Sequence, residues 1–313
     1  MFDAVSTPMR QRMRTPHPSR FRWVASALAT AVICAVPGAA DENRSARTAN
    51  GIYGKQNLAA WCIVPFDAKH RTPQERGEML QRLGIQRLAY DWRDSHITQL
   101  EEEIIECKRR NIEFMAFWGW HDSLEPLVAK HDVHPQIWMM VSSPPGTTDA
   151  ERVENAANEL LPMAEKTKRL GLKLGIYNHG DWGGEPANMA AVCRRLREMG
   201  PNDHVGIAYN FHHGHGHIDD FPTALKTMTP YLLCVNLNGM NDNATPKILQ
   251  LGAGRHERQM MKSLQESGYQ GPIGLIHHRE EIDAETGLQE NIAGMQQILT
   301  DLGDSPALAT YRE

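Results

Sequence analysis

A (β/α)8 barrel is the fold this sequence predicts, and three observations predict it. Short apolar strands alternate with amphipathic helices eight times between Leu58 and Leu302, a number of repeats and a length that suit such a barrel. Gly stands just past helix ends in Leu83-Gly84-Ile85, Leu170-Gly171-Leu172 and Ser267-Gly268-Tyr269, where a left-handed residue closes the last turn. Several strands also run directly into Asn or His, as expected where chemistry is gathered at one end of a barrel.

The first strand is the apolar run LAAWCIVPF at 58–66, followed by a helix over 73–83. Strand 87–92 leads to helix 97–110, strand 113–118 to helix 124–131, and strand 136–141 to helix 150–170. In the second half, strand 173–177 precedes helix 187–199, and strand 205–209 precedes helix 218–228. Strand 232–235 with helix 256–267 and strand 272–276 with helix 286–302 complete the set. A doubly wound open sheet is the competing arrangement, but no glycine-rich dinucleotide fingerprint follows the first strand.

Residues 1–40 stand apart. Arg10, Arg12, Arg14, Arg20 and Arg22 precede an apolar run from Val24 to Val36, and small residues lead up to Asp41. That order predicts a secretory signal cleaved near Ala40 and an exported protein, periplasmic or extracellular. The run is shorter than the roughly 20 residues of a membrane span, so no stable span is expected after cleavage. Residues 41–56 read as a flexible leader, 57–303 as the barrel and 304–313 as a C-terminal tail.

Cleavage removes five Arg and one Asp, so the formal charge of −5 becomes −9. Such a balance repels phosphate backbones and argues against nucleic acid as a partner. Four cysteines remain, Cys62, Cys107, Cys193 and Cys234. They are widely spaced within apolar patterns and predict buried thiols rather than disulfides.

The densest chemistry lies in VGIAYNFHHGHGH at 205–217, an apolar strand that ends in Asn210 and four His residues. Asn178 and His179 end the fifth strand, Asn236 and Asn238 the seventh, and His277 and His278 the eighth. Clustered imidazoles suit proton transfer or metal ligation; capping and backbone bonding are the plainer alternatives. If the loop alternates, His213 and His215 face one way and His212 the other. Asp91 and Glu185 are candidate acids near strand ends, Glu185 being equally suited to opening a helix. Trp118 and Trp182 offer faces on which a sugar ring stacks.

From Asn57 to about Leu302 the chain resembles the xylose isomerase-like TIM-barrel superfamily of sugar phosphate isomerases and epimerases. The resemblance is carried by AWCIVPFDAKHR at 60–71, YNHGDWGGEPAN at 177–188, YNFHHGHGHID at 209–219, NLNGM at 236–240 and LGAGRHE at 251–257. It implies a small carbohydrate partner and proton abstraction next to a carbonyl: isomerisation, epimerisation, or elimination and hydration. The family's divalent metal is held by acids and a His at four strand ends, which fall here on Asn178, Asn210, Asn236 and His277. All four differ from the pattern, whereas the family's His three residues after the sixth-strand acid is matched by His213.

Two forms of the site follow. Either one divalent ion (Zn, Mn or Mg) is held by a rebuilt set such as His179, His213 and His277, or a metal-free site uses His213, His277 or His179 for proton transfer, with Glu185 as a further acid. In both, Asn178, Asn210, Asn236, Asn238 and Asp91 bind the substrate and Trp118 and Trp182 stack on it. The alternative is a non-catalytic sugar-binding barrel that has lost the metal carboxylates.

Overall fold

The structure is a computed structural model in which residues 50–312 are described. Its eight strands are β1 (Leu58–Trp61), β2 (Arg87–Tyr90), β3 (Glu113–Trp118), β4 (Gln136–Met140), β5 (Lys173–Tyr177), β6 (Val205–Asn210), β7 (Leu232–Leu237) and β8 (Ile273–Ile276). They form a closed barrel in sequential order, all neighbours parallel, with β8 returning to β1 through Leu58 opposite Ile273 and Trp61 opposite Ile276. The principal helices after the strands are α1 (Pro73–Leu83), α2 (Leu100–Arg109), α3 (Leu124–His131), α4 (Asp149–Arg169), α5 (Pro186–Met199), α6 (Phe221–Met228), α7 (Glu257–Glu266) and α8 (Ala284–Leu302). The expected (β/α)8 barrel is present.

Local chemistry explains the boundaries. At the start of α1 the Thr72 hydroxyl accepts from the Glu75 amide at 3.3 Å, and the Glu75 carboxylate accepts from the Thr72 amide at 2.9 Å. This reciprocal cap, with Pro73 in the first turn, satisfies donors the helix leaves open. Gly84, Gly171 and Gly268 all have positive φ, as their places past helix ends require. β1 is shorter than its apolar run because Cys62 turns left-handed at φ 58° and ends the pairing. A separate helical turn, Asp94–Ile97, precedes α2, whose expected start was three residues earlier.

At the chain ends the structure corrects one expectation and adds detail to another. Within the expected leader, Tyr53 is fully buried and donates to the Met261 carbonyl at 2.6 Å, so residues 50–56 are packed rather than loose. The expected tail contains helix α9 (Ser305–Ala309), and Tyr311 donates to the Tyr53 carbonyl at 2.6 Å. Apolar side chains at both ends drive this docking across the barrel's N-terminal side. The expected signal, residues 1–40, and residues 41–49 of the leader lie outside the described residues. Among the described residues no helix is long and apolar enough to cross a membrane.

Alternation along each strand divides the side chains into an outer set facing the helices and an inner set facing the barrel axis. The inner set is Ala59 and Trp61, Ala89, Met115 and Ala116, Trp138, Tyr177, Ala208, Cys234 and Ile276, with few large members among small ones, and a register shift in β3 turns both Met115 and Ala116 inward. Trp61 and Trp138 meet edge to face at 4.9 Å between centroids, and the Trp61 indole donates to the Tyr177 hydroxyl at 3.2 Å. These rings fill the barrel axis. Cys62, Cys107, Cys193 and Cys234 are buried free thiols, as their spacing predicted.

α8 seals the last strand. Asn291, fully buried, donates to the Ile276 carbonyl at 2.9 Å and accepts from the Leu251 amide at 2.8 Å. One turn further, the loop passes so close that a Cβ on Gly294 would lie 1.7 Å from the Leu251 oxygen. Gly294→Ala should therefore destabilise the protein by about 2 kcal/mol or more through forced displacement of backbone. Urea unfolding of the variant against the parent measures it; an unchanged midpoint would remove the close contact.

Candidate functional site

At the C-terminal end of the barrel, above the aromatic filling, lies a cleft of about 220 Å³. Its walls are Trp61, Cys62, Phe66, Asp91, Arg93, Trp118, Tyr177, His179, His212, His213, Lys247 and His278. Strand parity selects most of them. Counting in twos from the inner residues Ala89, Tyr177, Ala208 and Ile276 reaches Asp91, His179, His212 and His278, each carried toward the axis.

The same count places two of the expected residues, His277 and Asn178, on the outer side. His277 faces the helix layer: its Nε2 meets the Ile282 carbonyl at 3.2 Å, and a Cβ on Gly287 of α8 would lie 2.0 Å from its Nδ1. His278 takes the place expected for His277. Asn178 also has outer parity, and it bonds the sixth strand's end, donating to the Asn210 carbonyl at 2.9 Å and accepting from the Asn210 amide at 2.7 Å. Asn210 points inward but below the cleft, where its amide donates to the Tyr177 hydroxyl and its oxygen accepts from the His212 amide at 3.0 Å. Asn236 is fully buried against Gly274, whose Cβ would fall 1.8 Å from the Asn236 oxygen. Asn238 donates to the neighbouring Gly239 carbonyl at 2.8 Å. None of the four amides lines the cleft.

Glu185 and Trp182 are also displaced from it. The Glu185 carboxylate is exposed and pairs with His217 at 2.9 Å, while the Trp182 indole donates to Asp149 at 2.9 Å. Asp67 is buried in an ion pair with Arg71 at 2.8 Å that also reaches Asp283 at 2.6 Å, tying the β1 loop to the start of α8. Of the expected site residues, Asp91, Trp118, His179 and His213 are brought together. Cys62 and Phe66 join them from the end of the first apolar run, and Arg93 and Lys247 from loops that carry no periodic signal.

The sixth strand's histidines do not alternate as an extended loop would. Asn210 caps a single 3-10 turn, Phe211–His213, whose tighter winding sends both His212 and His213 to the cleft while Phe211 packs on Phe221 at 5.4 Å. His215 lies outside, its Nδ1 at 3.2 Å from the His212 carbonyl. His213 then stands 4.5 Å from His179 and 4.1 Å from His212, ring to ring, and His212 stacks on His278 at 4.9 Å with only 9° between planes. Phe66 closes over His278 at 3.9 Å. His278 and Cys62, at the facing ends of β8 and β1, are both left-handed, with φ 44° and 58°. Such strain in non-glycine residues gathers at functional sites.

Burial governs the charges. It lowers the pKa of His212 to about 2, of His213 to about 3 and of His278 to about 4, with neighbouring imidazoles and Lys247 adding to the effect. It raises Asp91 to about 7 against the opposing pull of Arg93. Asp91 is 1% exposed; one oxygen accepts from the Val64 amide at 3.3 Å and the other has no partner. A carboxyl near half ionisation and a set of neutral imidazoles in one cleft are suited to moving protons.

The profile of the xylose isomerase-like TIM barrel family matches residues 79–298. The chain belongs to this family. No curated protein sequence matches it. Among solved structures it is similar to 3-keto-D-glucoside 4-epimerase, YcjR, from E. coli, at 16% identity and TM-score 0.57 over 79% of this chain and 99% of that one. The IOLI protein with a bound zinc atom aligns at 11% identity and TM-score 0.62, over 79% and 99% of the two chains. The probable 3-DHS dehydratase AsbF from Bacillus anthracis aligns at 13% identity and TM-score 0.59, over 78% and 99%.

The metal set read from the sequence, His179, His213 and His277, is not assembled, because His277 faces α8. Among the described residues no group of three or more His, Cys, Asp or Glu is placed to hold a metal ion. The stacked rings of His212 and His278 aim their lone pairs in nearly parallel planes, whereas a tetrahedral ion needs them to converge. The residues present therefore do not fit the ion that the family resemblance implies.

The titrations have opposite consequences for stability. His212, His213 and His278 have folded pKa values below their unfolded value of 6.5, so between pH 6.5 and 4 the unfolded chain binds the extra protons and stability falls as pH falls. Asp91 has a folded value above its unfolded 3.8, so its contribution is present below 3.8 and lost as pH rises through about 7. These three oppose Asp91, and His96, His204, His215 and His277, which burial also lowers, act in the same direction as the three, so stability should fall as pH falls from 6.5 to 4.5. Urea unfolding at pH 4.5, 5.5 and 6.5 measures it, and a flat profile would contradict the burial of the imidazoles. Asp91→Asn should stabilise the protein at pH 8 by on the order of 2 kcal/mol and leave it unchanged below about pH 3.8.

Proposed function

We propose that the protein is an exported carbohydrate-active enzyme that moves a proton at a carbon next to a carbonyl, giving isomerisation, epimerisation or elimination. The observation that carries this reading is Asp91: a buried carboxyl with one unpartnered oxygen, raised to about 7, lining a cleft with neutral imidazoles and the faces of Trp61 and Trp118. Membership of a catalytic barrel family supports enzymatic activity, and the reaction names of structural relatives, an epimerase of a 3-keto-D-glucoside among them, support the reaction class. Export rests on the order of residues 1–40 alone.

In this reading the Asp91 carboxylate takes the proton and the electron pair moves onto the carbonyl oxygen. Neutral His212, His213 or His278 donates a ring N–H to that oxygen as charge develops there. Protonated Asp91 then returns the proton to the neighbouring carbon on the same face, which isomerises the sugar, or gives it to a hydroxyl that leaves the next carbon as water. In epimerisation a water delivers a proton to the opposite face and Asp91 passes its own proton to the hydroxide left behind. Trp118, set edge to face on Tyr177 at 4.5 Å, holds the ring. Proton transfer thus falls to Asp91, assigned from sequence to substrate binding, and the strand-end amides hold the barrel together.

Asp91→Asn should lower turnover on keto-sugars by about 10²- to 10⁴-fold while sugar binding, followed by tryptophan fluorescence, is kept. Turnover that survives the substitution would remove Asp91 as the base. Binding with no turnover in the parent protein would favour the non-catalytic sugar-binding barrel.

A further inference from the structure

The cleft holds two cations and one carboxyl. Arg93 and Lys247 line it from the loops after β2 and β7, and among the described residues Asp91 is its sole carboxyl-bearing wall. One Arg93 nitrogen donates to the carbonyls of Asp91 at 3.1 Å and Trp92 at 2.8 Å, which orients the guanidinium, and its carbon lies 5.4 Å from the Phe66 ring centre. Neither Arg93 nor Lys247 forms an ion pair among the described residues, although most other arginines of the barrel do. Both act on His278, whose ring stands between the β8 end and Phe66. In a chain of net charge −5, with −9 expected after cleavage, a pocket whose fixed charges are positive is a local reversal.

Two buried polar atoms at the same cleft lack partners, Asp91 Oδ2 and His212 Nδ1, on residues only 1% and 5% exposed. Arg93 keeps further N–H groups for a ligand, in the fork geometry that pairs with carboxylate or phosphate oxygens. Trp118 beside it supplies an apolar face.

We infer that the substrate is an anionic sugar, a single ring bearing a carboxylate or phosphate group that Arg93 and Lys247 receive at the mouth of the cleft while the ring rests on Trp118. This rests on the carbohydrate reading above and narrows it to a charge class. The two cations also give the ligand its orientation: the anionic end faces Arg93 and Lys247, and the carbon next to the carbonyl faces Asp91.

The test uses the full chain and three sets of probes, neutral hexoses, the corresponding uronates and the hexose 6-phosphates, with binding read by tryptophan fluorescence and calorimetry. One anionic set should bind at least about tenfold tighter than its neutral counterpart, and Arg93→Gln and Lys247→Gln should each remove most of that preference while neutral-sugar binding stays. A preference for uronates identifies the anion as a carboxylate, and one for the 6-phosphates identifies it as a phosphate monoester. Equal binding of neutral and charged sugars, or a preference that survives both substitutions, overturns the inference and leaves the carbohydrate reading standing. Absence of binding by all three sets overturns the carbohydrate reading itself.

Discussion

The filling of the barrel axis is the constraint on which the rest depends. Eight strands can close only if their inward side chains occupy the space they enclose, and here Trp61, Trp138 and Tyr177 do so among small neighbours. The Tyr177 hydroxyl is the junction of this layer, receiving the Trp61 indole from one side and the Asn210 amide from the other. Because the layer is packed and its polar atoms are paired, it forms a rigid floor. The cleft begins just above it, at Asp91, Trp118, His179 and His278 past the ends of their strands' inward rows.

That floor also sets the electrostatics. The groups above it are withdrawn from water by aromatic walls, so one cause acts on acids and bases in opposite directions, raising Asp91 and lowering His212, His213 and His278. The result is a cleft whose ionisable groups are close to neutral at physiological pH, ringed by Arg93 and Lys247. Holding Asp91 there costs stability at neutral pH, a pattern common where a group is placed for chemistry rather than for the fold.

The strand-end amides show how a family framework is reused. Where the family resemblance places metal-binding side chains, Asn178 and Asn210 instead exchange hydrogen bonds between β5 and β6, and Asn236 packs into the space that Gly274 leaves. An amide both donates and accepts, so it can bridge two strands without the charge a carboxylate would bury. The polar groups of the cleft stand one residue further along at β5 and β8, as His179 and His278, and two further along at β6, as His212.

Local sequence determined a great deal about this protein. The strand and helix periods, the glycines past helix ends and the long apolar runs specified eight βα units, and several elements, among them Pro73–Leu83, Glu113–Trp118, Leu124–His131 and Lys173–Tyr177, begin and end where those signals place them. Strand ends rich in Asn and His marked the face of the barrel that carries the cleft. What the sequence left open was which of two adjacent residues looks inward: His277 or His278, Asn178 or His179. Parity has meaning only once the barrel is closed and one residue of each strand is known to touch the axis. The Asn210-capped turn that brings His212 and His213 to the same side, and the loops that deliver Arg93 and Lys247, were likewise decided by tertiary structure. Their directions are set by contacts between strands distant in sequence, and no local periodicity encodes them.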